Sequence, residues 1–180
     1  MEGATMVLRE SICVAYLIDV EIANDEYYMR EALRQARRAF AADEVPVGAV
    51  IVREGQIIAR AWNQVEMLKD ATAHAEMLAI TQAEAAMEDW RLTDCDIYVT
   101  KEPCPMCAGA IVHARLRRVI FGCPDAKGGG AGGLLNILQM PQLNHRSEIT
   151  PGVMAEECLH LIQEFFRARR QTSLPPTCEH

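Results

Sequence analysis

Two short stretches of this 180-residue sequence hold side chains that can act on one another: His74-Ala75-Glu76 and Pro103-Cys104-Pro105-Met106-Cys107. Cys104 and Cys107 stand three positions apart at a helix start, so their sulfurs can converge on one point. With His74 they form a set of thiolate and imidazole ligands that suits one Zn²⁺ per subunit. Three protein ligands leave the fourth tetrahedral position to a water, which is the arrangement of a catalytic centre. Two thiolates and a neutral imidazole cancel the charge of the ion, and ionising the bound water to hydroxide leaves a single negative charge that helix N-termini stabilise. Glu76 is then the general acid/base, moving protons between that water, a substrate ring nitrogen and a leaving amine. Positions i and i+2 do not share a helix face, so His74 and Glu76 serve one centre only if His74 enters from the first turn. Two alternatives stand beside this reading. One is a buried helix-start histidine with free core cysteines. The other is a closed structural zinc, whose fourth ligand would come from Cys95, Cys123, His113 or His145, none at a recognisable zinc spacing.

The elements that must carry these residues follow from periodicity. From Asp25 the pattern is helical, with Met29, Leu33, Ala36 and Phe40 on one face. Val47 to Val52 and Ile57 to Trp62 are apolar, β-branched runs joined by Arg-Glu-Gly-Gln, which predicts a β-hairpin. Thr72 is the expected N-cap of a helix from about Ala73 to Asp89. Ile97 to Thr100 reads as a short buried strand. Prolines after Glu102 and Cys104 disfavour the α conformation at both, so the next helix should run from Pro105 to about Ala114. Val119 to Cys123 is a further strand, followed by a Gly-rich loop, a short helix near Leu134 to Leu138, a turn around Pro141, and a last helix over Val153 to Arg170 with Cys158, Ile162, Phe165 and Arg169 along one stripe. Strands alternating with helices after an opening hairpin predict an α/β fold, a three-layer α/β/α sandwich with a mixed central sheet. The expected organisation is an N-terminal extension over 1–24, poorly ordered, one domain over 25–170, and a C-terminal tail over 171–180. Gly128 to Gly133 formally satisfies G-x-G-x-x-G, but the following helix is stopped by Pro141 and no suitably placed acid follows. A dinucleotide site is therefore not expected, and the loop reads as close backbone approach to substrate or as a flexible turn.

Composition narrows the classes further. Half of the residues are apolar, and 18 Lys plus Arg against 25 Asp plus Glu give a net charge of −7, which excludes a disordered chain and an indiscriminate nucleic-acid coat. A nucleic-acid partner must meet local basic patches: Arg115, Arg117 and Arg118, or Arg167, Arg169 and Arg170. No apolar run approaches the 18 or more residues of a membrane span, and Ile12 to Ile18 is followed by acids rather than by a cleavage site. A soluble, cytoplasmic protein is expected. Seven cysteines, an odd number in a chain of this size, point to a reducing compartment and metal or catalytic thiols.

H-x-E with P-C-x-x-C is the signature of zinc deaminases, which act on a base taken out of its stack. Over 25–170 the chain resembles the bacterial tRNA-specific adenosine deaminases of the cytidine-deaminase-like fold. The resemblance rests on Glu44-Val45-Pro46-Val47-Gly48-Ala49-Val50, Trp62-Asn63, Thr72-Ala73-His74-Ala75-Glu76, Glu102-Pro103-Cys104-Pro105-Met106-Cys107-Ala108-Gly109-Ala110, Asp125-Ala126-Lys127, Asn144-His145-Arg146 and Phe165-Phe166-Arg167. It implies hydrolytic deamination of adenosine to inosine at the wobble position of a tRNA anticodon, by a homodimer, without a nucleotide cofactor and away from membranes. Asn63 matches the asparagine that hydrogen-bonds the flipped nucleoside. Asp125 and Lys127 match loop residues near the RNA, with Asn144 as a further contact. Phe165 and Phe166 point about 100° apart on a helix, so core and substrate surface divide them, with Arg167 beside them. Lys101 departs from the family, in which an apolar residue commonly precedes Glu-Pro-Cys. The zinc motif alone also admits guanine or cytosine-nucleotide deaminases, and a zinc-stabilised RNA-binding module is the non-enzymatic alternative.

Overall fold

The computed structural model describes residues 25–172; the expected extension over 1–24 and the tail from 173 onward lie outside the described residues. The chain runs α1 (25–41), β1 (Gly48–Arg53), β2 (Gln56–Trp62), α2 (Val65–Leu68), α3 (Ala75–Met87), β3 (Cys95–Lys101), α4 (Pro105–Ala114), β4 (Arg118–Cys123), β5 (Glu148–Pro151) and α5 (Ala155–Thr172). The strands form one sheet in the order β2-β1-β3-β4-β5, with β1 antiparallel to β2 and β3, and β3-β4-β5 parallel. This is the expected mixed sheet.

Alternation along β1 separates the two apolar layers. Ala49 and Ile51 face α3 and α4, while Val50 and Val52 face α1 and α5. On the first face, Ala75, Ala79 and Ala83 recur every four residues along α3, a row of small side chains that lies close on Ile51, Ile97 and Val99. On the second, Met29 and Leu33 of α1 meet Cys158 and Ile162 of α5 above Tyr98 and Ile120. Gly48 is required where α1 crosses β1, since a Cβ there would collide with the backbone of Ala32 and Ala36. The hairpin turn has positive φ at both Glu54 (49°) and Gly55 (77°), the two-residue geometry that matches strand twist. No described helix is long and apolar enough to cross a membrane.

Several boundaries differ from expectation. Thr72 does not cap α3; its N–H and hydroxyl are turned to the Asp70 carboxylate, and His74 occupies the N-cap. Residues 134–138 form no helix. Gly132 at φ 130° breaks the path, and Ala131 and Asn136 pair instead as an isolated bridge. The short β5 and the four-residue α2 were not anticipated from sequence.

Candidate metal centre and cavity

Both ligand-bearing segments are the entries of helices. His74 is the extended N-cap of α3 (φ −70°, ψ 153°), which frees its imidazole from the helix face and resolves the i, i+2 conflict with Glu76. Cys104 is likewise the extended N-cap of α4, followed by Pro105 at the first helical position, and Cys107 lies on the first turn. The Nδ1 of His74 is 3.6 Å from Sγ of Cys104 and 3.5 Å from Sγ of Cys107. Zinc bonds of about 2.0–2.1 Å to nitrogen and about 2.3 Å to sulfur at a tetrahedral angle place N and S about 3.6 Å apart, so the three donors are spaced as one ion requires.

The donor chemistry agrees. Without a cation, the Cys104 thiol is pulled down to about 3, first by the hydrogen bond with Cys107 and further by His74. Cys107 is pushed up, first by that same contact and then by burial. One negative charge is all that two adjacent sulfurs hold unaided, and a divalent ion allows both to ionise. Hydrogen bonding to Cys104 raises the pKa of His74 against its partial burial. Among the described residues this is the one group able to hold a metal. None of the other candidate ligands joins it: His145 Nε2 lies 2.8 Å from the Leu116 carbonyl, Cys123 Sγ is directed at the Thr100 carbonyl, Cys95 is at the opposite end of β3, and His113 is exposed.

The ligands border a cavity of about 460 Å³ at the carboxyl end of β3, whose wall includes Asn63, His74, Glu76, Lys101, Cys104, Phe166 and Arg169. Glu76 is 3% exposed, and burial pushes its carboxyl above the usual range, which favours the proton-holding form. Asn63 is buried at the end of β2, and its Nδ2 donates to Glu44 Oε2 at 3.1 Å, which fixes the amide orientation.

The remaining predicted contacts divide. Phe165 is a core residue, 3% exposed, its ring 5.6 Å from Phe40, whereas Phe166 is 43% exposed and lines the cavity. Arg167 is exposed on α5 outside the cavity wall, and Arg169, two positions on, lines the cavity and pairs with Asp43. Asp125, exposed Lys127 and exposed Asn144 stand on loops outside the wall. Of the first arginine cluster, Arg117 is held in a two-point pair with Asp96 and Arg118 pairs with Asp25, while Arg115 lies over the Trp90 ring, so two of the three are tied to carboxylates.

Two buried acids escaped the sequence reading. Glu44 accepts the N–H of Met67 as well as the Asn63 amide. Glu102 accepts the backbone N–H groups of Asp125, Ala131 and Gly133 at 2.8–3.0 Å. The Gly-rich loop is therefore wound around the Glu102 carboxylate, and a Cβ at Gly129 or Gly133 would collide with that carboxylate. Both acids stand inside quoted motifs, which was the available signal.

The family profile of the MafB19-like deaminases matches residues 23–170. The chain is 49% identical over 150 residues to a tRNA-specific adenosine deaminase of Bacillus subtilis (strain 168), covering 83% of this chain and 93% of that protein. It is 51% identical over 147 residues to a tRNA-specific adenosine deaminase of Aquifex aeolicus (strain VF5), covering 81% and 95%. A solved structure from work on A-to-I editing by tRNA:A34 deaminases at the wobble position is 41% identical with a TM-score of 0.73, covering 75% of this chain and 98% of that one.

Proposed function

The chain belongs to the MafB19-like deaminases and, within them, to the tRNA-specific adenosine deaminases, and from that premise we propose that it hydrolyses adenosine to inosine at the wobble position of a tRNA anticodon, releasing ammonia. The observation that carries this reading is the His74, Cys104 and Cys107 triangle opening on a cavity in which Glu76 is buried. His74, Cys104 and Cys107 would hold a zinc ion, which when bound would supply a Lewis acid able to activate water near neutral pH.

Glu76 takes a proton from the water that attacks C6 and delivers protons to ring N1 and to the departing amine. The C6–O bond forms, the C6–N bond breaks, and no oxidant or reductant is needed. Asn63, with one amide hydrogen held by Glu44, offers its remaining donor and its acceptor to the purine edge. Phe166 gives the extruded base an apolar wall. Asp125, Lys127, Asn144 and Arg167 contact the anticodon loop outside the cavity. An anticodon loop presents unpaired bases, so extruding one costs little. The protein works as a cytoplasmic homodimer.

The test incubates the zinc-loaded protein separately with anticodon stem-loops bearing adenosine at the wobble position, guanine and cytidine nucleotides. Inosine in the RNA, with no small-molecule turnover, is expected. Turnover of the free base or nucleotide without inosine would move the chain to another deaminase activity. Glu76→Ala should bind zinc and lose deamination by at least about 10²-fold; retained activity would remove Glu76 from the chemistry.

A further inference from the structure

Lys101 ends β3 three residues before Cys104 and lines the cavity together with His74 and Glu76. Its ammonium is ion-paired with the Asp125 carboxylate, and the two side chains retain 31% and 21% of their exposure. Asp125 cannot wander. Its Oδ1 accepts the backbone N–H groups of Lys127 and Gly128 at 3.0 and 3.1 Å, and its own N–H is held by Glu102. A clamped carboxylate therefore fixes the position of the ammonium at the cavity edge.

The charge around it is mostly of the other sign. Asp43, Glu44, Glu66, Glu76 and Glu102 line the same cavity, and its remaining cation, Arg169, is paired with Asp43. An anion approaching the metal centre thus meets a wall of carboxylates in which Lys101 is the cation nearest the ligands in sequence. An ammonium carries three donors, and one faces Asp125.

We propose that Lys101 binds a backbone phosphate beside the reacting nucleoside, with Asp125 aiming its ammonium from the opposite side. Lys101 thereby raises affinity for a polynucleotide over a free nucleoside at a position on the cavity wall. This role rests on the RNA-deaminase reading above. The test measures inosine formation in an anticodon stem-loop as a function of salt for the zinc-loaded wild type, Lys101→Met and Lys101→Arg. The methionine variant should raise KM about tenfold with kcat little changed, the size of one charge-assisted hydrogen bond. It should also lower the slope of log affinity against log salt by about 0.7, one single-strand phosphate contact. Lys101→Arg should retain most of both. An unchanged KM and salt slope in Lys101→Met overturns the proposal, as does a fall in kcat alone, which would mark a contact made only in the transition state rather than phosphate binding. Lys101→Gln carries the same comparison if the methionine variant does not fold. A wild type that forms no inosine in RNA at any salt rejects the parent reading instead, so the two failures are distinguishable.

Discussion

The carboxylate of Glu102 accepts three backbone N–H groups, and a charged acceptor in so many bonds is worth more than a neutral one. Glu102→Gln removes the charge and turns an amide NH₂ toward donors it cannot satisfy. We expect a loss of about 2–4 kcal/mol in stability, measured as a lowered urea midpoint in the metal-loaded protein. Cys107→Ser replaces a buried sulfur ligand by a hydroxyl that does not ionise near neutrality, and elemental analysis after dialysis should find less than half the wild-type zinc. The metal ligands were legible in sequence because Cys104 and Cys107 lie within one turn and their chemistry is particular to them. Glu102 and Glu44 were not, because their partners stand 19 to 31 positions away and a lone acid in a motif does not announce a buried cradle.

Between elements, the crossing of α1 over β1 depends on the missing side chain at Gly48. Gly48→Val forces helix and strand apart. It should cost about 3 kcal/mol, read by calorimetry as a melting temperature lowered by about 6–12 °C. The sequence revealed helices and central strands wherever a period ran long enough, as in α1, the β1–β2 hairpin and α4. It misled where a local pattern was overruled from a distance. Leu134 to Leu138 has helical composition, yet the N–H groups of Ala131 and Gly133 are drawn to Glu102 and Gly132 adopts φ 130°, so the segment closes a loop. Glu148 to Pro151 is short and half polar, and becomes a strand because β4 presents an edge to it. Thr72 has the chemistry of an N-cap, but Asp70 captures its hydroxyl and leaves the cap to the metal ligand.

For the whole molecule, metal and fold are linked, because the three donors converge only in the native state. Stripping the ion with a strong chelator should abolish deamination and lower the melting temperature by about 8–16 °C, the effect of losing a ligand present at about 1,000 times its Kd. Added zinc should restore both. Light scattering should give a mass of twice the 20.0 kDa chain, and a single-chain mass would remove the homodimer from the proposed function. The acidic total of −7 does not by itself oppose an RNA substrate, because the local distribution of charge, rather than its sum, sets the potential that a phosphate meets. The position of α5 has a consequence for biosynthesis. Ile162, Phe166 and Arg169 complete a cavity whose metal ligands come from α3 and α4, far earlier in the chain. During vectorial synthesis these three side chains leave the ribosome last, so the cavity wall is completed only when the end of the chain has been made. A chain that still lacks α5 therefore holds both ligand segments beside an unfinished wall.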